Sequence, residues 1–319
     1  MWDAYLSRDC QTIAGTYPWY DNRNRHATYL RICSFQSGKG GFKRELPEAL
    51  KLLSDSGYAV TVFFTESRGH ATELAAEYGG AYPRLLVLGG DGTLAEAIAG
   101  LMTLAERPEV GYIPIGTAND VARTIGLPKN DILAGAQRFV SGTAHPFDEG
   151  RHDGGWFNYV AAFGAFTEVS YGTPQEIKKQ LGEAAYLIGA AKSLTGLKSR
   201  HVRVEYDGGE TEGEFLYGSM SNSYSVAGLI DLPRDEIGLG DGLHELVLLK
   251  KLPNAAAFVT LGAKVLSRDF SSEYLTILHT SRARFIFDEP ETWTFDGEDG
   301  GAHLEISFEN CPQAINLIY

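Results

Sequence analysis

The sequence predicts an α/β domain with a mainly parallel sheet, followed by a β-rich domain with an antiparallel, sandwich-like sheet. Up to about residue 144, apolar strand-like runs alternate with helical patterns, which is typical of parallel sheets with right-handed crossovers. Beyond that point, short strand-like runs follow one another with few helical patterns between them, which favours antiparallel pairing. We expect an N-terminal extension over 1–24, the α/β domain over 25–144 and the β-rich domain over 145–319. Whether the last strand returns to the first domain is left open.

The first domain is predicted to contain four strands separated by helices. The strands are expected where apolar residues form short runs, at 29–33, 60–64, 85–88 and 111–115. Leu46, Ala49, Leu50 and Leu53 recur at helical spacing, and Gly57 stands where a glycine commonly ends a helix. Further helices are predicted over Ala71–Glu77 and Leu94–Leu104 and from Val121 onwards.

The second domain is predicted to begin at a hinge, His145-Pro146-Phe147-Asp148, where the pattern changes. Its expected strands are Trp156–Ala162, Val202–Tyr206, Glu214–Met220, His244–Leu249, Arg284–Phe287 and Leu304–Phe308. Two helical segments interrupt them, Leu181–Ile188 and Asn254–Leu266. This arrangement indicates an antiparallel sheet or sandwich with helical insertions.

Composition narrows the possible partners. The chain has 319 residues, of which 44% are hydrophobic and 22% charged, as in ordinary globular proteins. Its net charge of −13 argues against nucleic acid as a partner and against stable docking on anionic lipid. Three scattered cysteines and eight dispersed histidines lack metal-ligand spacing, which argues against a zinc site and indicates a reduced setting. With no apolar run of membrane-spanning length and no signal-peptide pattern, we expect a cytoplasmic protein.

A basic cluster departs from this acidic average. It consists of Lys192, Lys198, Arg200, His201 and Arg203. Charge clusters are usually solvated, so the favoured interpretation is the exposed ends of a helix and a strand. The other interpretation is a patch that faces a membrane or a phosphorylated headgroup.

The strongest chemical signal is Gly89-Gly90-Asp91-Gly92-Thr93, which directly follows a predicted buried strand and precedes a helix. Glycines allow positive φ and let a ligand approach the main chain, and a helix N-terminus attracts an anion. Asp91 is unusual in a pure phosphate cradle, because a carboxylate among phosphates needs a cation such as Mg²⁺ between them. The sequence therefore predicts a site for a nucleoside triphosphate with Mg²⁺.

A second strand-to-helix corner contains Gly116 and Thr117 and continues to Asp120. Two such corners in successive units would direct two helix N-termini at one place. The alternative is purely structural, because Thr93 with Glu96, and Thr117 with Asp120, match the capping pattern of a helix start.

Together, Gly89–Glu96 and the run Pro114-Ile115-Gly116-Thr117-Ala118-Asn119-Asp120-Val121-Ala122-Arg123 resemble the catalytic domain of the diacylglycerol kinase family. That family includes soluble bacterial lipid kinases and the sphingosine and ceramide kinases. The first motif is shared with NAD kinases and the wider phosphofructokinase-like group, whereas the second is more specific. The resemblance extends over residues 28–319.

The resemblance implies a role for several residues. The expected contacts with ATP are Ser37, Gly38 and Lys39 in the first phosphate loop, Thr65, Gly89, Gly90, Asp91, Gly92, Thr93, Leu94 and Thr117. Asp241, with the carbonyls of Gly238 and Leu243, matches a metal site. In Asp296-Gly297-Glu298, Glu298 matches the general base and Asp296 its partner in a carboxylate network. Asp91 is the third residue that we expect to take part in catalysis. Without the resemblance, Asp-Gly in both segments predicts a turn.

We therefore expect an ATP- and Mg²⁺-dependent kinase that phosphorylates a hydroxyl of a diacylglycerol-like lipid during transient contact with a membrane surface. A homodimer is possible, and the oligomeric state is open. One alternative is a kinase of a soluble acceptor such as NAD. The other is a non-catalytic nucleotide- or lipid-binding protein, motivated by Ser34, Phe35 and Ala95, where the family has Asn, Pro and Asn.

Overall fold

The computed structural model describes residues 27–34, 42–164, 198–226, 230–231 and 237–319. Six α-helices and fifteen β-strands lie in these ranges, and they are numbered here in chain order. Several predictions lie outside the described residues, namely the extension over 1–24, Ser37, Gly38 and Lys39 of the first phosphate loop, the helix over Leu181–Ile188, and Lys192.

The first half of the chain alternates strands and helices as predicted. In order, its elements are β1 (Ala27–Ser34), α1 (Phe42–Asp55), β2 (Tyr58–Thr65), α2 (His70–Tyr78), β3 (Arg84–Gly89), α3 (Asp91–Leu101), β4 (Glu109–Pro114), α4 (Asp120–Ile125) and α5 (Ile132–Ser141). The strands pair in parallel in the order β4-β3-β1-β2, so their carboxyl ends lie along one edge. The prediction missed α5 and placed α3 three residues late, because the glycine-rich turn already belongs to the helix.

Helices cover both faces of this parallel sheet, which explains the continuous apolar run of β3. Leu85 and Val87 face one core, where residues of α2 and α3 pack. Leu86 and Leu88 face the opposite core, where residues of α1 and α5 pack. Because successive side chains of a strand point to opposite faces, a strand covered on both sides must be apolar throughout.

The second half is rich in antiparallel strands, as predicted. Its elements are β5 (Ala144–His152), β6 (Gly155–Phe157), β7 (Val160–Gly164), β8 (Arg200–Tyr206), β9 (Gly209–Ser221), β10 (Ser225–Val226), β11 (Ile230–Asp231), β12 (His244–Lys250), α6 (Ala255–Leu266), β13 (Leu275–Thr280), β14 (Arg282–Phe295) and β15 (Glu298–Ile318). Both β9 and β14 pair with β7 at one end and with β8 at the other, which gives the sandwich-like wrap.

Two local predictions in this half are wrong. The predicted hinge His145–Asp148 lies inside β5, where residues 144–147 pair with β15 and Phe147 is buried. Proline is tolerated there because β6 pairs with β5 only from Gly150 onwards, so Pro146 has a strand partner on one side. The single strand predicted over Trp156–Ala162 is two strands, because the backbone between them turns its N–H groups toward a carboxylate described below.

β15 connects the two halves of the molecule. Its first residues form a hairpin with β14, and its middle pairs with β5. Its last residues, Asn316–Ile318, pair in parallel with β4. Thirteen of the fifteen described strands, from both halves, therefore belong to one hydrogen-bonded sheet, and β10 pairs with β11 in a separate one.

An aromatic cluster fills the core of the second half. The ring of Phe163 lies 5.0 Å from that of Phe287 and 5.1 Å from that of Trp293, and Phe285 lies 5.0 Å from Trp293. Trp293, Phe163 and Phe285 are fully buried. Tilted and edge-to-face contacts of this kind add to the free energy gained by burying the rings.

Three described members of the basic cluster, Arg200, His201 and Arg203, lie beside carboxylates. Arg200 pairs with Glu291, and Arg203 pairs with Glu205 and Glu210. His201 lies 3.1 Å from Asp288. These pairs offset the charges of Arg200 and Arg203, which favours the interpretation as a solvated face over a patch for headgroups.

The described helices are short. The longest, α1, has 14 residues, whereas a membrane span takes about 20. Within the described ranges, no helix is long and apolar enough to cross a membrane.

Replacing Gly100 by alanine should destabilise the fold, because α2 and α3 touch there. A Cβ at Gly100 would lie 2.3 Å from the carbonyl oxygen of Thr72. Overpacking of this kind costs about 1–3 kcal/mol, which urea unfolding can measure. The control is Gly80→Ala, whose Cβ would only touch Leu104 at 3.9 Å. Equal stability of the two variants would contradict the close approach of the helices.

Glu245→Gln should alter how stability depends on pH. Glu245 is buried on β12 between Ser221 and His279, with Oε2 unpaired, and burial raises the pKa of Glu245 to about 8. Since this carboxyl holds its proton more tightly in the folded state, its contribution to stability falls as pH rises from 4.5 to about 8. Urea unfolding at pH 5 and pH 8.5 should show that the free energy of unfolding of Glu245→Gln, relative to that of the parent protein, is higher at pH 8.5.

The control for this prediction is Glu210→Gln, which removes an exposed carboxylate from β9. We compare the unfolding free energies of Glu245→Gln and the parent at each pH. If their difference does not change with pH, the buried, protonated state of Glu245 is contradicted.

Candidate active site

The loop from β3 to α3 turns so tightly that it requires glycine. Gly89 ends β3 and α3 begins at Asp91. A Cβ at Gly89 would lie 2.5 Å from the Cβ of Thr93, which folds back over it. The chain thus passes from strand to helix with a single residue between them, and the start of α3 faces the carboxyl edge of the sheet.

The second corner packs against the first. The N–H of Ile115 donates to the carbonyl of Gly89 at 2.9 Å, and a Cβ at Gly116 would lie 2.6 Å from the Cα of Gly90. Asn119 adopts a left-handed conformation with φ 54°, and its side chain donates to the carbonyl of Gly116 at 2.8 Å. The two glycine-rich corners therefore form one continuous backbone surface.

The capping alternative for the two threonines is wrong. α3 is preceded by Gly90 and α4 by Asn119, and neither start has a side-chain cap. Both helices begin at an aspartate, so Thr93 lies inside α3, and Thr117 lies three residues before α4 begins. Glu96 accepts a hydrogen bond from the N–H of Ala71 at 3.4 Å.

Asp91 directs its carboxylate at the start of α4. Burial raises the pKa of Asp91, and the charge of Asp120 raises it further, while the backbone N–H groups of Asn119, Asp120 and Val121 oppose the rise. Its Oδ1 is buried and has no hydrogen-bond partner. Carboxylate oxygens are preferred ligands of Mg²⁺, so a buried, unpartnered carboxylate oxygen fits a cation site.

Asp296 and Gly297 form the two-residue turn between β14 and β15. Phe295 lies opposite Glu298, and the turn residues have φ values of 51° and 83°. Positive φ at both positions is typical of a type I′ hairpin. The prediction that Asp-Gly forms a turn is thus confirmed for the backbone. The turn does not use the Asp296 side chain, which makes the contacts described next.

The Asp296 carboxylate is buried and accepts three backbone hydrogen bonds. The N–H groups of Asn158, Tyr159 and Val160 donate to it at 2.7, 2.9 and 3.1 Å. Burial raises the pKa of Asp296 to about 6, although these donors lower it, and the nearby charge of Asp91 adds to the rise. Asp296 and Asp91 therefore interact electrostatically across the two halves.

Glu298 faces the glycine-rich loop. Its Oε1 lies 3.8 Å from where a Cβ on Gly92 would stand. Its Oε2 accepts a hydrogen bond from Nη2 of Arg68 at 3.1 Å, and Arg68 lies in the loop between β2 and α2. The side chain of Glu298 is 58% exposed, so solvent or a substrate can reach it.

Sequence analysis missed Glu149 and Asn158, which lie behind these residues. In the amide orientation that satisfies both neighbours, Asn158 donates through its nitrogen to Oε2 of Glu149 at 2.9 Å and accepts through its oxygen from the N–H of Ala95 at 3.2 Å. Burial, with the charges of Asp296 and Asp148, raises the pKa of Glu149 well above its usual range. A glutamate at an apolar position of a strand is the one sequence signal that could have indicated this link.

The predicted metal residues meet at one turn. Oδ1 of Asp241 accepts the N–H of Leu243 at 3.0 Å, and a Cβ on Gly238 would lie 2.8 Å from the Asp241 side chain. Asp148 approaches from β5, accepting the N–H of Gly242 at 2.7 Å. The described residues contain no group of three or more histidine, cysteine or acidic side chains fit to hold a metal, so an ion here would need backbone carbonyls.

Thr65 and Thr117 occupy the same edge of the sheet as the loops. Thr65 is the last residue of β2, and Thr117 lies in the loop after β4 with an exposed side chain. Lys129 fixes that loop, since its Nζ donates to the carbonyls of Thr117 at 2.5 Å and Ala118 at 3.0 Å. Leu94, by contrast, is completely buried in the core, so only its backbone can contact a ligand.

Comparison with known proteins shows which family this chain resembles. A family model described as the diacylglycerol kinase catalytic domain matches residues 29–152. The chain is 34% identical to a diacylglycerol kinase of Bacillus subtilis (strain 168) over 284 residues, covering 88% of this chain and 93% of that protein. It is 38% identical to a diacylglycerol kinase of Staphylococcus aureus (strain MRSA252) over 294 residues, covering 88% and 89%.

A solved structure shows the same fold. The crystal structure of a diacylglycerol kinase from Bacillus anthracis str. Sterne matches with a TM-score of 0.72 at 22% identity, covering 93% of this chain and 98% of that one. Because the family model and the curated relatives both name diacylglycerol kinase, the chain belongs to the diacylglycerol kinase family of lipid kinases.

Proposed function

We propose that this lipid kinase transfers the γ-phosphoryl group of ATP to a hydroxyl of a diacylglycerol-like lipid, with Glu298 as the general base. The observation that carries the proposal is the position of Glu298, whose carboxylate projects from the second half onto Gly92 of the glycine-rich loop. A base must be within reach of both the attacking hydroxyl and the phosphoryl group. The names of the relatives support diacylglycerol as the acceptor class.

The ATP site consists of the loops at the carboxyl edge of the parallel sheet. Gly89–Thr93 and the backbone of Leu94 would hold the phosphates, because glycines and a helix start offer N–H groups at close range. Thr65 and Thr117 lie along the same edge. Ligands of open α/β sheets bind at this end of the strands, which supports the assignment.

Asp91 is the residue we assign to Mg²⁺. Its buried Oδ1 lacks a partner, and carboxylate oxygen is a preferred ligand of this ion. When bound, Mg²⁺ neutralises charge on the phosphates of ATP. Asp241, with the carbonyls of Gly238 and Leu243, is proposed as a second, structural metal site.

Asp296 orients the base. Three backbone N–H groups hold its carboxylate, and the tight turn carries Glu298 two residues further toward Gly92. Its charge also interacts with that of Asp91. We therefore propose that Asp296 keeps Glu298 in place as the hydroxyl proton is transferred, and that Asp91, Asp296 and Glu298 act as one carboxylate network.

The protein would bind its lipid substrate at a membrane surface. The net charge of −13 opposes lasting attachment to anionic lipid, so brief contacts from the cytoplasm are the mode we propose. The competing candidates, a soluble acceptor such as NAD or a non-catalytic binding protein, enter the test below as its other outcomes.

A transfer assay with γ-labelled ATP and Mg²⁺ tests the function directly. The acceptors are diacylglycerol, ceramide, sphingosine and NAD, each supplied separately. We expect label in diacylglycerol, and Glu298→Gln should lower kcat about 100-fold to 10,000-fold because the base is lost. Label on NAD alone would establish the soluble-acceptor alternative, and no transfer at all would favour a binding protein.

The matched control is Glu305→Gln, which removes a glutamate of the same strand that pairs with Arg284. Its kcat should stay near that of the parent. A similar loss in both variants would show that β15 as a whole, rather than the Glu298 carboxylate, had been disturbed.

Asp91→Asn should weaken Mg²⁺-dependent nucleotide binding while the fold survives. The substitution keeps the size of the side chain and removes the charge opposite Mg²⁺. Calorimetric titration should show a loss of about tenfold or more with Mg²⁺, which is about 1.4 kcal/mol. With EDTA present, the variant should bind ATP at least as well as the parent, because no cation then offsets the repulsion between Asp91 and the phosphates. Asp55→Asn on the exposed face of α1 is the control, and unchanged affinity in Asp91→Asn would refute the role of Asp91.

A further inference from the structure

Arg68 reaches the candidate base from the nucleotide side of the molecule. It lies in the loop that connects β2 to α2, immediately before Gly69, whose φ of 84° turns the chain into the helix. Nη2 of Arg68 lies 3.1 Å from Oε2 of Glu298, a residue 230 positions away in the sequence. The contact therefore exists only because the fold returns β15 to the first half.

The Glu298 carboxylate lies between Arg68 and the glycine-rich loop. One oxygen faces Gly92 and the other accepts from Arg68. A phosphoryl group at the end of a nucleotide held by Gly89–Thr93 would emerge beside this carboxylate. The guanidinium of Arg68, which is 79% exposed on a long side chain, would then lie within reach of the same phosphoryl group.

The local charge balance calls for a cation at this position. Four carboxylates lie at the edge of the sheet where we propose that the polyphosphate binds, those of Asp91, Asp120, Asp296 and Glu298. Negative charge at such density opposes an anionic ligand unless cations compensate for it.

Two other cations near these loops are already engaged. Nη2 of Arg123 pairs with Oδ1 of Asp120 at 2.6 Å. Lys129 donates to the backbone carbonyls of its own loop. Arg68 uses one nitrogen for Glu298, and a guanidinium has five N–H donors in a planar fork, so it can bind a carboxylate and a phosphoryl oxygen together.

We propose that Arg68 is a catalytic residue that contacts the transferred γ-phosphoryl group while it holds Glu298 in place. The proposal rests on the proposed function. In the step, the lipid hydroxyl oxygen forms a bond to the γ-phosphorus, and its proton passes to Glu298. The bond from the γ-phosphorus to the β–γ bridging oxygen breaks, and ADP leaves with that electron pair. The Arg68 guanidinium neutralises charge on the phosphoryl oxygens throughout, and is itself unchanged.

Two measurements on Arg68→Ala test the proposal. In the lipid assay, kcat should fall about 100-fold or more, as for other arginines that stabilise phosphoryl transfer. In calorimetric titration, affinity for a non-hydrolysable ATP analogue, the imido compound, should fall about tenfold relative to the parent, a difference of about 1.4 kcal/mol. Affinity for ADP should not change, because ADP lacks the phosphate that Arg68 contacts. Arg68→Lys should retain part of both properties.

The control is Arg282→Ala, which removes an arginine of similar exposure, 75%, that pairs with Asp207 elsewhere. It should leave kcat and both affinities near the parent values. Equal losses of affinity for ADP and for the triphosphate analogue in Arg68→Ala would overturn the proposal in favour of a structural role. An unchanged kcat would overturn it as well.

The two arms separate this proposal from the proposed function. If the parent protein labels no lipid, the proposed function fails. The binding arm needs no acceptor, so it still reports whether Arg68 contacts a terminal phosphate. If lipid is labelled and the analogue binds Arg68→Ala and the parent equally well, the function stands and the role of Arg68 is refuted.

Discussion

Backbone hydrogen bonding along β15 holds the candidate site together. The strand begins at Glu298, pairs with β14 and β5, and ends in parallel with β4 of the first half. Because each pairing fixes the register of the next, the position of Glu298 relative to Gly92 follows from contacts made up to 20 residues away along the same strand. A site built on a long paired strand is also rigid, which positioning of a base requires.

Several acidic side chains are buried where the two halves of the molecule meet, which makes their charged forms unfavourable. Asp91, Asp296 and Glu149 have raised pKa values, in each case chiefly because burial disfavours the charged form. Backbone N–H groups partly compensate Asp91 and Asp296, whereas one oxygen of Asp91 and one of Glu149 remain without partners. Burying carboxylate oxygens without partners costs stability, and clusters of perturbed carboxylates are typical of functional sites. A bound cation with a polyphosphate would compensate them, which is consistent with membership of a kinase family.

The sequence anticipated the parts of the fold that depend on local pattern. The apolar run of β3 and the helical spacing in α1 predicted their elements correctly, since a strand covered on both faces and an amphipathic helix leave clear periodicities. The hinge at His145–Asp148 was a wrong prediction, because a proline in a strand with a partner on one side looks like a chain break. Glu149 and Asn158 were missed, because only contacts made by the folded chain show that they link α3 to the turn at Asp296.

By itself, the sequence determined the α/β and β-rich halves, the glycine-rich corners and the family resemblance, because these are written in residues that are close together in the chain. Only the tertiary structure decided that Arg68, Gly92 and Glu298 meet. It also decided that the Asp-Gly turn points Asp296 inward, toward the N–H groups of Asn158–Val160. The physical reason is that these contacts depend on strand order and register across the whole sheet, which no local run of residues encodes.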